Sequence, residues 1–236
     1  MVQGALITGG TGSIGSAVAS RFLSDGYGVA VTYRSAKEWE RLRADHADQA
    51  QRGSLVGIQA DVTSHDSMQG AVRSAAEKLG GLRVLAHVAG GYAGGTPVEG
   101  LTEQSLRGML ELNLVSAFWA AKHAIPFLKK SGTGRLIFVS SRGAVSVQPG
   151  AAPYAAAKLA LHALVSTLAV ELRDAGITAN AILPSMVDTP QNRAAMPRAD
   201  HERWVRPEQI AALLAFLGSD ASAAVTGALI PIYGGA

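Results

Sequence analysis

Seven short runs of consecutive apolar residues recur along the chain: Ala5-Leu6-Ile7, Val29-Ala30-Val31-Thr32-Tyr33, Leu55-Val56-Gly57-Ile58, Val84-Leu85-Ala86-His87-Val88, Leu136-Ile137-Phe138-Val139, Thr178-Ala179-Asn180-Ala181-Ile182-Leu183 and Ala228-Leu229-Ile230-Pro231-Ile232. Continuous rather than alternating apolar runs are what strands carry when helices cover both faces of a parallel sheet. Between them the pattern predicts helices at about 13–25, 36–51, 64–80, 102–130, 153–175 and 207–219. Several ends are marked: Asp25-Gly26 closes the first, Ser64 caps the third, Thr102 with Glu103 opens the fourth, and Pro207 suits the first turn of the last. Strand and helix alternating in this way predict an α/β, doubly wound parallel sheet.

No repeat or linker interrupts the rhythm, so residues 1–236 read as a single domain. Two irregular stretches follow strand ends, where open α/β sheets bind ligands: Gly90-Gly91-Tyr92-Ala93-Gly94-Gly95, and about 188–206, a candidate substrate loop. The absence of cysteine excludes disulfides, thiolate nucleophiles and cysteine-ligated metals, so redox chemistry would need a bound cofactor. The 21 basic and 18 acidic residues are interleaved, and the longest purely basic cluster is Lys129-Lys130, so neither a nucleic acid nor a membrane is expected as partner. No uninterrupted apolar stretch approaches the ~18 residues of a membrane span, and no basic leader precedes the first strand; the expectation is a soluble, cytoplasmic protein. The histidines show no metal-ligand spacing, and no metal is expected.

The loop Thr8-Gly9-Gly10-Thr11-Gly12-Ser13-Ile14-Gly15 joins the first strand to the first helix. Such a loop lets a pyrophosphate approach backbone N–H groups at a helix N-terminus; structurally it is also an ordinary strand-to-helix turn. Ser16 stands where a Walker A loop needs lysine, which disfavours ATP or GTP hydrolysis. At the end of the second strand Thr32-Tyr33-Arg34-Ser35 offers no carboxylate for a ribose diol but an arginine suited to a 2′-phosphate, so NADP(H) is favoured over NAD(H). Otherwise Arg34 is a surface charge opening the second helix. Asp61, after the third strand, suits an adenine amino group or a helix cap.

Tyr154 and Lys158 are four apart in an Ala-rich helical segment and share a face. An ammonium near a phenol lowers a pKa of about 10 toward the range useful for acid–base work. Ser140-Ser141 follow the fifth strand, thirteen residues before Tyr154 for the second serine, where a hydroxyl could hold a substrate carbonyl.

Over essentially its whole length the sequence resembles the compact branch of the short-chain dehydrogenase/reductase family. The resemblance is carried by Thr8-Gly9 through Gly15, Asp61-Val62, Leu112-Asn113-Leu114, the run from Gly134 to Ser141, Tyr154-Ala155-Ala156-Ala157-Lys158, Asn180 with Pro184 and Thr189, and Arg206-Pro207-Glu208-Gln209-Ile210-Ala211 leading to Tyr233-Gly234-Gly235. It implies a Rossmann-like fold and a hydride-transferring oxidoreductase, similar to 3-oxoacyl thioester reductases. The other readings are a reductase of small ketones, quinones or pterins, and a nucleotide-binding regulator without turnover. By the same resemblance Tyr154 is the general acid, Lys158 tunes it and binds the nicotinamide ribose, Ser141 polarises the carbonyl, and Asn113 holds a relay water. Thr8, Gly9, Gly12, Ser13, Ile14, Gly15, Arg34, Asp61, Val62, Ala89, Gly90, Pro184, Val187 and Thr189 would contact the cofactor. Tyr92, Met186, Met196 and Trp204 either line the substrate or pack the loops onto the body. A homodimer or homotetramer through the helices at about 102–130 and 153–175 is also implied. Three departures stand out: the spacing Gly9-x-x-Gly12-x-x-Gly15, His87-Val88-Ala89-Gly90 in place of Asn-Asn-Ala-Gly, and Pro184-Ser185 in place of Pro-Gly. His87 would either take over sheet-steadying contacts or sit near the cofactor. The stretch between Thr189 and Pro207 is short, which predicts a small, open lid.

Overall fold

Each apolar run forms a strand in the computed structural model, which describes residues 3–235. The strands are β1 (Gly4–Thr8), β2 (Gly28–Tyr33), β3 (Leu55–Gln59), β4 (Val84–His87), β5 (Arg135–Val139), β6 (Thr178–Pro184) and β7 (Leu229–Ile232), in the spatial order β3-β2-β1-β4-β5-β6-β7. Every pairing between neighbours is parallel. Pro231, which cannot donate to a ladder, sits in the edge strand β7, where this is tolerated.

Successive strand residues point to opposite faces, so each strand feeds two cores. On one face Leu6, Leu85, Leu136 and Phe138 pack against Met68 and Val72 of α4 (His65–Leu79), Leu128 of α6 (Ser116–Ser131), and Leu161 and Val165 of α7 (Ala152–Glu171). On the other Ala5, Ile7, Val29, Val84 and Ile137 meet Val18 and Phe22 of α1 (Ser13–Ser24) and Ile210 and Leu214 of α9 (Pro207–Gly218). Burying each of these larger side chains contributes about 1.5–3 kcal/mol before entropy is counted. By length and composition α7 could cross a membrane, but half of its apolar window is buried inside the fold, with Leu161, Val165 and Leu168 in the first of these cores.

Three boundaries differ from those expected. The helix predicted over 36–51 is two, α2 (Ala36–Asp45) and α3 (Ala47–Gln51), because His46 leaves helical geometry at φ −128°, ψ 44°. Its Nε2 lies 2.7 Å from the Ser20 hydroxyl of α1. The helix predicted over 102–130 is interrupted between α5 (Glu103–Leu110) and α6 by a wide π-type turn, Glu111–Val115. There the Ser116 N–H bonds back to Glu111, five residues earlier, and the Leu112 carbonyl accepts the Ser116 hydroxyl at 2.6 Å instead. The irregular stretch 188–206 contains the short helix α8 (Pro190–Ala195), and a bridge from Val187 to Val205 ties its two ends together. The expected caps at Ser64 and Thr102 are present, accepting from the Ser67 and Ser105 amides.

The chain runs outward in one direction from β1 to β3 and in the other from β4 to β7. The reversal between β1 and β4 opens a crevice at their carboxyl ends, flanked by the glycine-rich loop and by Ala89-Gly90.

Candidate active site

The glycine loop is anchored from below. Gly9 and Gly10 donate to the Thr32 hydroxyl and carbonyl at 3.0 and 3.1 Å, and Gly9 takes φ +64°. Gly15 packs so closely that an added Cβ would run into the Gly9 carbonyl. Gly12 differs: a Cβ there would meet only the Gly9 oxygen, at 3.5 Å. As N-cap of α1 it provides no side-chain cap, so the first-turn amides around Ser13, Ile14 and Gly15 face an open approach. The altered glycine spacing thus still leaves the first-turn amides of α1 unobstructed by a side chain at Gly12.

Arg34 and Asp61 leave the carboxyl ends of neighbouring strands. Arg34 is exposed, and its guanidinium helps to hold the Asp61 carboxyl below its ordinary range. The larger cause is local: Asp61 Oδ1 accepts from the Thr63 hydroxyl at 2.7 Å and the Thr63 amide at 2.9 Å. Val62 is buried in the core beside this turn. One feature escaped the sequence reading: Glu38 accepts from the Thr11 hydroxyl at 3.1 Å, linking α2 to the glycine loop. Tyr33 and Trp39 stack at 5.6 Å, and the indole occupies the space a side chain at Gly57 would take. A glycine inside a strand run was the available signal for this close approach.

Deeper in the crevice, Tyr154 stands in the first turn of α7 and Lys158 one turn later. Lys158 is 4% exposed and donates to the Val139 carbonyl at 2.8 Å. Burial pulls its pKa from 10.5 down to about 8. Its Nζ is 6.0 Å from the Tyr154 ring centre. The expected lowering of the tyrosine pKa is not what this geometry produces. Burial pushes the Tyr154 phenol up, the Ser141 hydroxyl beside it acts the other way, and Tyr92 adds to the rise. Ser141 accepts from the Gly143 amide at 3.0 Å, which leaves its own O–H to donate. Asn113, fully buried in the wide turn, accepts from the Gly91 amide at 3.1 Å and donates to the Gly91 carbonyl at 3.0 Å. Gly90 brings these groups together, since a Cβ on it would lie 2.9 Å from Asn113 Oδ1 and 3.2 Å from Lys158 Nζ.

The remaining candidates divide. Tyr92 is 63% exposed and meets the Tyr154 ring edge to face, centres 5.1 Å apart. Trp204 is buried instead against His201, 4.4 Å between ring centres, in a cleft of about 840 Å³ between the 188–206 segment and Gly234-Gly235. Met196 ends α8, its carbonyl 2.9 Å from His201 Nε2, and the Met186 carbonyl accepts from Val205. These contacts involve their backbones only, and the Met186 side chain is 37% exposed. Pro184 closes β6, and the Ser185 hydroxyl that follows turns to the Tyr233 carbonyl at 2.7 Å. Val187 is buried, and Thr189 caps α8 by accepting from Asn192. Thr8 accepts from the Ala89 amide at 3.2 Å. His87 is buried between Thr8 and Ser116, so it takes the sheet-steadying place. The sequence did not foretell the partner of Ser140, whose hydroxyl lies 2.8 Å from His162 Nε2. Among the described residues no cluster of three potential metal ligands occurs.

Comparisons with known proteins identify the family. A family model described as Enoyl-(Acyl carrier protein) reductase matches residues 9–236. The chain is 32% identical to the 3-oxoacyl-acyl-carrier-protein reductase MabA of Mycobacterium tuberculosis, over 98% of this chain and 91% of the relative. It is 31% identical to an acetoacetyl-CoA reductase of Allochromatium vinosum, over 100% and 98% of the two chains. A solved short-chain type dehydrogenase/reductase from Mycobacterium ulcerans superposes with a TM-score of 0.93 at 26% identity, covering 99% of this chain and 89% of that one.

Proposed function

The chain belongs to the short-chain dehydrogenase/reductase family, and we propose that it is an NADPH-dependent carbonyl reductase with Tyr154 as general acid. The observation that carries this reading is a chain of neighbours: the Ser141 hydroxyl lies beside the Tyr154 phenol, Lys158 Nζ is 6.0 Å from the Tyr154 ring centre, and Lys158 and Asn113 share the Cβ-free face of Gly90. A dinucleotide fits the residues present. The uncapped N-terminus of α1 suits its pyrophosphate, and Arg34 suits a 2′-phosphate. When bound, the nicotinamide supplies the hydride.

The chain's own groups supply the rest. The Tyr154 phenol, raised by burial, is protonated at neutral pH and holds the proton that carbonyl reduction requires. The Ser141 O–H, freed by the Gly143 contact, donates to the carbonyl oxygen where negative charge develops. Lys158, with a pKa of about 8, holds a transferable proton at Nζ. Asn113 fixes the Gly91 backbone next to it through two hydrogen bonds.

Similarity to MabA and to an acetoacetyl-CoA reductase favours a 3-oxoacyl thioester as substrate. The exposed Tyr92 ring over Tyr154 narrows the approach and favours small ketones as the second reading. A second copy of the chain is the proposed macromolecular partner, since α5, α6 and α7 expose Leu106, Phe118, Leu159 and Val170. We read the protein as cytoplasmic, in keeping with its interleaved charges. Mixing it with NADPH and a panel of acetoacetyl thioesters, small ketones and quinones should consume the nicotinamide absorbance. A flat trace across the panel would favour a non-catalytic sensor.

A further inference from the structure

His87 ends β4, is 1% exposed, and uses both ring nitrogens: Nδ1 lies 2.9 Å from the Thr8 hydroxyl and Nε2 lies 3.2 Å from the Ser116 hydroxyl. Proton counting orders this chain. Ser116 spends its single hydroxyl proton on the Leu112 carbonyl at 2.6 Å, so its oxygen can only accept from the ring, and Nε2 carries the hydrogen. Nδ1 then accepts the Thr8 proton, while the Thr8 oxygen accepts from the Ala89 amide at 3.2 Å. Burial and the nearby Lys158 keep the ring neutral, its pKa lowered to about 3. Donation runs in one direction from the loop after β4, through His87, to the wide turn ahead of α6.

The far end of this chain is the informative one. In the wide turn the Ser116 amide bonds to Glu111, and the Leu112 carbonyl takes a hydroxyl where an ordinary helical turn would give it that amide. Leu112 immediately precedes Asn113, whose side chain grips the Gly91 backbone. We propose that His87 is a positioning residue: through Ser116 it holds the wide turn in the register that presents Asn113 to the Gly90-Gly91 backbone beside Lys158. This rests on the catalytic reading given above, and it goes further by assigning a role to a histidine whose hydrogen bonds go to Thr8 and Ser116 rather than to the reacting groups.

The two halves of the ring can be replaced separately. An asparagine mimics Nδ1 and keeps the Thr8 contact, whereas a glutamine mimics Nε2 and keeps the donation to Ser116. His87→Asn and Ser116→Ala should each lower kcat about tenfold with NADPH binding changed less than about twofold, and His87→Gln should restore kcat to within about threefold of wild type. In the NMR spectrum of the wild-type protein the His87 ring should show the Nε2–H tautomer, and the Asn113 side-chain amide should shift in Ser116→Ala. An Nδ1–H tautomer, an unmoved Asn113 amide, or unchanged kcat in both lowering variants would overturn the proposal. So would a parallel loss of melting temperature, NADPH binding and kcat, which marks a purely structural role. Should His87→Asn fail to fold, Ser116→Ala carries the same test. If the wild type turns over no carbonyl substrate, the catalytic reading fails, while the tautomer and the amide shift still decide the placement of His87.

Discussion

The Lys158 ammonium donates to the Val139 carbonyl at 2.8 Å, so the last residue of β5 holds the lysine of α7 beneath the crevice. This tether buries a charge in exchange for one hydrogen bond, and the pKa falls from 10.5 to about 8. A group whose folded pKa lies below its unfolded value binds fewer protons folded than unfolded between the two. Its contribution to stability therefore rises with pH from about 8 to 10.5 and is least favourable below about 8. Lys158→Met should then raise the unfolding free energy at neutral pH, by at most on the order of 3 kcal/mol. It should also flatten the rise in stability above pH 8 while cutting turnover at least about tenfold. Chemical denaturation as a function of pH checks the first part and steady-state kinetics the second.

Two glycines of the glycine-rich loop should behave oppositely. A Cβ at Gly12 meets nothing closer than 3.5 Å, so Gly12→Ala should leave the melting temperature nearly unchanged and weaken NADPH binding. At Gly15 the Cβ would collide with the Gly9 carbonyl, so Gly15→Ala should destabilise the fold by about 1–3 kcal/mol as an overpacked site. Thermal unfolding with and without NADPH separates the two effects.

Much of this was legible in the sequence because the governing patterns are local. Continuous apolar runs announced a sheet covered on both faces, and all seven became strands. The glycine loop leading into α1, and the four-residue spacing from Tyr154 to Lys158, needed only the chain near them. The wide turn at Glu111–Val115 was not legible, because it depends on a serine hydroxyl replacing an amide and on a histidine 29 residues away in sequence. His46 breaks a helix where a serine on α1 meets it. The contact of Trp204 with His201 was not legible either, because it joins side chains across a loop with no periodic pattern. The direction of the tyrosine pKa is not legible from spacing, which brings a lysine near but says nothing of burial, the larger influence.

The proposed preference for NADPH rests on Arg34. It is exposed at the end of β2, next to Asp61. Arg34→Ala should weaken NADPH by about tenfold or more and leave NADH nearly unaffected, since a charge-assisted contact to phosphate is worth about 1.5–3 kcal/mol. Equal losses for the two cofactors, measured by fluorescence titration, would mean that Arg34 does not meet a 2′-phosphate.

Tyr154 bears the central claim. The most direct measurement is NADPH consumption with an acetoacetyl thioester, followed side by side for the wild type and Tyr154→Phe, with NADPH binding titrated for both. A general-acid role for Tyr154 predicts steady consumption by the wild type and a drop of at least about a thousandfold in the variant, with NADPH bound almost equally. Turnover by Tyr154→Phe at a rate near wild type would contradict it.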